Sequence, residues 1–326
     1  MNAIRWAMVG TGLMADLILK DFPLSDQTEL LALVSRDIAR AEAKLSEVGI
    51  AAKAITFEQA LASNEIDLIY IASPHSEHYW MAKAALEAGK HILVEKAVME
   101  SADQAREIYA LARSKNLFSM EAMWTKFMPL HNQLIELVAS GKIGQLRLIE
   151  ANFGFRRTFD NNHRLFNKEL GGGSSLDQGV YTTTLNRWFA GSKIKTLRAT
   201  GANYPNGADA LAMTNFEFEN GISGRGNSSL NTSLGMAARL VGEAGVIEIH
   251  EAFWNTEHAT IKTYAPDSDV PKVEELYVPR KGAGYVHMIE AVSASVLAGE
   301  LENQAHTHAF SVEVMDALDE IRSQLH

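Results

Sequence analysis

Along the first third of the chain, short apolar runs alternate with amphipathic stretches. Ile4–Val9 is almost continuously apolar, the pattern of a parallel strand covered on both faces. It ends in Gly10-Thr11-Gly12-Leu13-Met14-Ala15, after which Leu13, Leu17, Ile18 and Phe22 follow a helical stripe as far as Pro23. Further strands are predicted over 29–34, 54–56, 67–72, 91–95 and 117–121. Helices are predicted over 37–48, 57–62, 78–88 and 101–115, with Gly49 and Gly89 as stops. Strands alternating with helices of about 10–15 residues define a doubly wound parallel α/β sheet, whose ligands bind at the carboxyl ends of the strands. Past residue 122 the pattern changes. A helix over 127–140 is followed by strands over 145–155, 195–204, 210–219, 222–231, 237–242, 246–250 and 259–264. The only long helix among them leads from the serines after Gly173 to about Gly191, and helices over 286–298 and 309–325 close the chain. This predicts a second, α+β domain built on a large, mostly antiparallel sheet, with boundaries at 1–122 and 123–326.

Composition narrows the function. Length alone suggests two domains of about 150 residues each. Thirty Lys and Arg against forty Asp and Glu give a net charge of −10, and no basic run exceeds two residues (Arg156-Arg157, Arg280-Lys281). That balance argues against nucleic acid or an anionic membrane as partner. The absence of cysteine excludes disulfides, thiolate zinc sites and thiol nucleophiles. No apolar stretch reaches the ~20 residues of a membrane span, and Met1-Asn2-Ala3 opens no charged targeting region, so a cytoplasmic protein is expected.

The turn after the first strand carries the first chemistry. Gly-x-Gly-x-x-Ala directly after a strand and opening a helix is the context of a dinucleotide-binding turn. Gly10 permits the sharp bend, Gly12 lets backbone approach a pyrophosphate, and Ala15 allows close helix–sheet packing. The end of the second strand separates NAD from NADP, because a ribose 2′-hydroxyl is met by a carboxylate and a 2′-phosphate by cations. Here it reads Ser35-Arg36, with Arg40 one helical turn on, so NADP is favoured, with NAD as the other possibility. Asp37 is a candidate helix N-cap. Ser73-Pro74-His75-Ser76-Glu77-His78 reads as a loop lining the nicotinamide ribose; His75 and His78 lack a third partner, and no metal is expected. Lys96 leaves a buried strand at the ligand edge, with Glu95 beside it to hold its geometry. In the second domain Asp177 and Tyr181 lie one helical turn apart, an acid–phenol pair suited to proton transfer from a substrate hydroxyl.

Gly10–Ala15, Glu95-Lys96 and the block from Gly171 to Tyr181 together resemble the glucose–fructose oxidoreductase / inositol dehydrogenase / MocA family, in order and spacing over essentially the whole chain. Residues 121–129 (Glu-Ala-Met-Trp-Thr-Lys-Phe-Met-Pro) are similar to the dimeric dihydrodiol dehydrogenase branch, which includes NADP-linked D-xylose dehydrogenases. The resemblance implies a Rossmann domain, a C-terminal domain whose open sheet serves a homodimer, and a sugar, polyol or diol substrate. It implies a catalytic Lys96, a substrate-binding Asp177, a proton-transferring Tyr181, and Trp124, Phe153 and Trp254 as aromatic substrate positions. The family's Glu-Lys-Pro motif has Ala97 in place of proline. Because alanine makes a cis bond far costlier than proline does, a trans Lys96–Ala97 bond is expected. His306 and His308 are expected to flank the last helix without function. The reading is reversible hydride transfer between NADP(H) and a secondary alcohol or hemiacetal carbon. The alternatives are a glycosidase that uses tightly held NAD transiently and a non-catalytic dinucleotide sensor.

Overall fold

The structure, a computed structural model, describes residues 3–325; Met1 and Asn2, which head the stretch read above for a targeting signal, lie outside the described residues, as does His326. The chain forms two compact units: Met1–Phe127 with Lys281–Val312, and Met128–Arg280 with Glu313–His326.

The first unit is built on a six-stranded parallel sheet. Its strands are β1 (Ile4–Val9), β2 (Thr28–Val34), β3 (Lys53–Ile55), β4 (Leu68–Ile71), β5 (His91–Val94) and β6 (Ser119–Glu121). Their order is β3-β2-β1-β4-β5-β6, all neighbours parallel. The order reverses between β1 and β4, so the crevice outside their carboxyl ends is the binding edge of the sheet. The connecting helices are α1 (Leu13–Ile18), α2 (Ile38–Val48), α3 (Phe57–Ala62), α4 (His75–Glu87) and α5 (Ala102–Ser114). Local signals set their ends. Asp37 and Ser101 cap α2 and α5 by accepting backbone N–H bonds, Thr56 and Gln59 form a capping box on α3, and Gly49 closes α2 at φ +70°. α4 begins three residues earlier than expected, because Pro74 supplies an extended N-cap.

The return of residues 281–312 to this unit departs from the predicted boundary. In α8 (Tyr285–Leu297) the side chains of Val286, Ile289 and Val292 are buried, and Ser293 Oγ accepts from Trp6 Nε1 at 3.2 Å and bonds Thr28 Oγ1 at 2.8 Å. Asp21 accepts the backbone N–H groups of Ala283 and Val286. These contacts join sequence ends that no local pattern relates.

The second unit contains α6 (Pro129–Ala139) and an eight-stranded sheet: β7 (Leu146–Gly154), β8 (Ile194–Asn203), β9 (Asp209–Phe218), β10 (Ser223–Ser229), β11 (Ala238–Gly242), β12 (Gly245–Ile249), β13 (His258–Tyr264) and β14 (Pro271–Tyr277). Its order is β14-β13-β12-β11-β7-β10-β9-β8, antiparallel except where β7 and β10 run parallel. α7 (Val180–Ala190) lies against β10, where glycine is needed for the approach: a Cβ on Gly224 would sit 2.3 Å from Asn186 Oδ1. β14 is the strand that periodicity missed. It opens on a proline and carries Glu274-Glu275 at its centre, the composition of a solvated edge strand rather than an alternating one. No helix among the described residues is long and apolar enough to cross a membrane.

Candidate active site

In the first unit the turn after β1 is bent as the glycine pattern demands. Gly10 has φ +112°, and a Cβ there would lie 2.5 Å from the Ala72 carbonyl oxygen at the end of β4. Gly12 is exposed, and a Cβ on it would meet open space. Ala15 is fully buried, while Leu13 is exposed and Thr11 and Met14 are partly so. Gly10→Ala is therefore expected to destabilise the fold by about 1–3 kcal/mol, whereas Gly12→Ala changes stability by less than about 0.5 kcal/mol. Chemical denaturation of the two variants checks the contrast.

The end of β2 sits beside this turn. Arg40 Nη2 donates to the Thr11 carbonyl at 3.4 Å, joining the two segments. Ser35 Oγ accepts from Asp37 N at 3.1 Å, and Asp37 Oδ1 accepts from Arg40 N at 3.1 Å. Asp37 is thus engaged as the N-cap of α2, and the exposed guanidiniums of Arg36 and Arg40 flank the position where a 2′-substituent is read. The turn admits a dinucleotide backbone and its neighbour supplies cations, so the residues present fit such a coenzyme.

The segment after β5 is held on both sides. Its Lys96–Ala97 peptide is cis, which corrects the expected trans bond. Side chains bond the carbonyls of this segment. His75 Nε2 donates to the Lys96 carbonyl at 3.2 Å. His78 Nδ1 lies 3.2 and 3.1 Å from the carbonyls of Ala97 and Val98, and its Nε2 lies 3.0 Å from that of Ser73. His78 is fully buried; burial pushes its pKa down while the carbonyls pull it up. That corrects its expected place in a ribose-lining loop: it is a clamp on backbone. His75 is also buried, and Ser73 and Pro74 are half-buried ahead of α4. Glu95 points into the core, where its carboxylate accepts from the Tyr70 hydroxyl and, at 3.3 Å, from Lys96 N. Burial raises its pKa, against the Tyr70 bond and the Lys96 charge. Lys96 itself is half-buried at the carboxyl edge of the sheet. Trp124, grouped with Phe153 and Trp254 from the sequence, lies in this unit, buried and stacked on Tyr285 at 4.1 Å.

In the second unit the Gly-Ser block is anchored by a residue that sequence reasoning missed. Buried Asp209, the first residue of β9, accepts from Ser174 Oγ at 2.7 Å and from Ser175 N and Oγ at 2.7 and 2.9 Å. Gly173, at φ +131°, leaves room for it; a Cβ there would lie 2.3 Å from Asp209 Oδ1. The serines donate to Asp209, and Ser175–Gly179 forms a π turn before α7 begins. Asp177 projects from this turn, and its Oδ1 accepts from Arg164 Nη1 at 3.3 Å. Tyr181 is buried in the first turn of α7, its ring 5.7 Å from Phe153 and 5.9 Å from Trp254. Phe153 and Trp254 stack at 3.8 Å with 6° between their planes. The unit thus collects a phenol, an aromatic platform and a carboxylate–guanidinium pair, the chemistry that receives an apolar ring or carbon chain bearing hydroxyls.

His306 and His308 are not bystanders at the helix end. Both are buried in the first unit: His306 Nε2 donates to Glu121 Oε2 at 2.8 Å, and His308 stacks on Tyr109 at 4.1 Å.

A doubly wound sheet with a glycine turn at its switch point, in a chain that also carries an open, mostly antiparallel sheet, defines a two-domain dinucleotide-binding protein. Residues 4–122 match the oxidoreductase family GFO/IDH/MocA with its NAD-binding Rossmann fold, and residues 131–248 match the GFO/IDH/MocA C-terminal domain. The chain belongs to this family, as its motifs imply. It is similar to the trans-1,2-dihydrobenzene-1,2-diol dehydrogenase of Sus scrofa, 28% identical over 99% of this chain and 97% of that one. The enzyme of the same name from Mus musculus is 31% identical over 78% of this chain and 77% of its own. Among solved structures, a 3-ketoreductase from Actinomadura kijaniata in complex with NADP and TDP-benzene superposes with a TM-score of 0.87 at 22% identity, covering 100% of this chain and 98% of that one, which shows the shared fold.

Proposed function

We propose that the protein is an NADP-dependent dehydrogenase that moves hydride between the coenzyme and a secondary alcohol or hemiacetal carbon of a diol, polyol or sugar. The observation that carries the coenzyme assignment is the end of β2, where Arg36 and Arg40 are exposed beside the glycine turn and the adjacent carboxylate, Asp37, is engaged as a helix cap. When bound, NADP supplies the hydride acceptor and NADPH the donor. Gly10 to Ala15 would hold the pyrophosphate, Ser35, Arg36 and Arg40 the 2′-phosphate, and the half-buried Ser73 and Pro74 with Lys96 would border the nicotinamide end. Tyr181 takes the hydroxyl proton in oxidation and returns it in reduction. The Lys96 ammonium offsets the negative charge that develops on oxygen. Asp177, oriented by Arg164, accepts substrate hydroxyls, and the Phe153–Trp254 platform carries the apolar face of the carbon skeleton. The diol dehydrogenases similar to this chain are named for a ring bearing two hydroxyls, which suits that combination. The protein works in the cytoplasm, as a homodimer through the open face of the eight-stranded sheet.

The test is absorbance at the nicotinamide band with a panel of dihydrodiols, polyols and aldoses, run with NADP and with NAD. Turnover with none of them overturns the reading. Arg36→Asp is expected to lower the NADP-over-NAD ratio of kcat/KM by about 10–100-fold, the worth of a charge-assisted bond to phosphate. An unchanged ratio removes the assignment of that pocket.

A further inference from the structure

We propose that Glu121 and His306 are positioning residues that fix the backbone carrying Lys96, so that His306 governs turnover without touching substrate or coenzyme. The inference rests on the role given to Lys96 above.

Glu121 ends β6, directly beside Val94 at the end of β5. Its side chain is completely buried, as is that of His306. Glu121 Oε1 accepts the backbone N–H of Val98 at 3.0 Å, two residues beyond Lys96. Its other oxygen accepts from His306 Nε2 and from Ser311 Oγ, both at 2.8 Å, and Ser311 Oγ in turn accepts from the Tyr109 hydroxyl at 2.9 Å. His306 Nδ1 has no hydrogen-bond partner among the described residues, so the single N–H of a neutral ring is the one given to Glu121. Burial pushes the His306 pKa down against the pull of the Glu121 bond, and the charge of Lys126, whose Nζ lies 3.6 Å over the Phe310 ring, adds to the lowering.

Stability is a poor account of this arrangement. A buried carboxylate with its partner is commonly matched or bettered by apolar side chains of the same volume, and β6 is otherwise enclosed in core. What an apolar substitute cannot do is hold an amide. The carbonyls of Lys96, Ala97 and Val98 are gripped from one side by His75 and His78, and the amide of Val98 is gripped from the other by Glu121. The segment is thereby held from both sides, and a misplacement of about 1 Å in a group that meets the reacting atoms costs on the order of 100-fold.

The experiment compares His306→Ala, His306→Gln and Lys96→Ala, using NADP and the substrate with the highest kcat/KM in the panel above. His306→Ala is expected to lower kcat about 10-fold or more, with NADP affinity unchanged and with faster amide exchange in the peptide spanning 93–99 by hydrogen-exchange mass spectrometry. His306→Gln, which places an amide N–H where Nε2 stood, is expected to recover most of kcat. A folded His306→Ala with wild-type kcat overturns the proposal whatever its melting temperature, as does a His306→Gln as slow as His306→Ala. Should His306→Ala fail to fold, Ser311→Ala removes the second donor to the same oxygen and is expected to lower kcat in the same direction; no change overturns the proposal. Loss of rate in Lys96→Ala beside wild-type rate in His306→Ala sinks only the positioning role. Wild-type rate in Lys96→Ala sinks the reading of Lys96 and this inference with it.

Discussion

Lys96→Ala is expected to lower kcat by about 100–1,000-fold, the cost of removing one preorganised charge from a developing oxyanion, while NADP affinity stays nearly unchanged. Lys96 follows the carboxyl end of β5, on the edge at which a doubly wound sheet meets its ligands. Its neighbour Glu95 turns inward to Tyr70, so the two charges beside each other in sequence do different work: one anchors, the other is presented. The backbone from the Lys96 carbonyl to Val98 is committed to His75, His78 and Glu121, which fixes the point from which the side chain departs. Lys96→Met separates charge from bulk. It keeps most of the apolar stem and is expected to be as slow as alanine, because the stem has no part in polarising an oxygen. Steady-state kcat at saturating coenzyme, with NADP binding followed by fluorescence titration, checks both variants. Wild-type turnover in either removes Lys96 from the chemistry, and a loss confined to NADP affinity makes it a coenzyme ligand instead.

The parallel sheet was legible because each of its strands is a short apolar run between a cap and a turn. Ile4–Val9 and Phe57–Ala62 have in the structure the bounds that periodicity assigns them. Asp37, Gly49 and Gly89 mark helix ends by side-chain and backbone chemistry that acts within a few residues. The glycine turn was legible for the same reason; the spacing of Asp177 and Tyr181 reads as one helical turn, whereas Asp177 lies in the π turn and Tyr181 in α7. What escaped is long-range. Nothing near His306 announces a carboxylate 185 residues away, and nothing near Asp209 announces that two serines 34 and 35 residues earlier would donate to it. An acidic residue at the start of a strand looks the same whether it is solvated or buried under a glycine with φ +131°. The cis bond at Lys96–Ala97 belongs to the same class, since alanine's local preference is trans and the contacts around the segment come from α4 and β6. Trp124 and Trp254 looked alike as aromatic positions, yet one stacks on Tyr285 in the first unit and the other on Phe153 in the second.

Tyr181→Phe separates the phenol's chemistry from its packing, and its expected effect is a fall in kcat of about 100–10,000-fold, the range for removing a positioned proton-transfer group. The substitution deletes one oxygen and leaves the ring. That ring is buried against Phe153 and Trp254, so the packing of the first turn of α7 survives and the variant should unfold at nearly the wild-type temperature. Substrate KM should change little for a related reason: the Phe153–Trp254 stack and the Asp177–Arg164 pair that would receive the carbon skeleton and its hydroxyls are untouched. The phenol is placed by a chain of contacts that starts outside its own helix. Asp209 pins Ser174 and Ser175, the π turn at Ser175–Gly179 follows, and α7 starts with Tyr181 in its opening turn. A group so fixed can exchange a proton with a bound hydroxyl without first reorganising, which is where the rate advantage originates. Tyr181→Phe with wild-type kcat would assign the proton to another group. A variant that loses melting temperature and KM together with kcat would make Tyr181 part of the platform and not its acid–base partner.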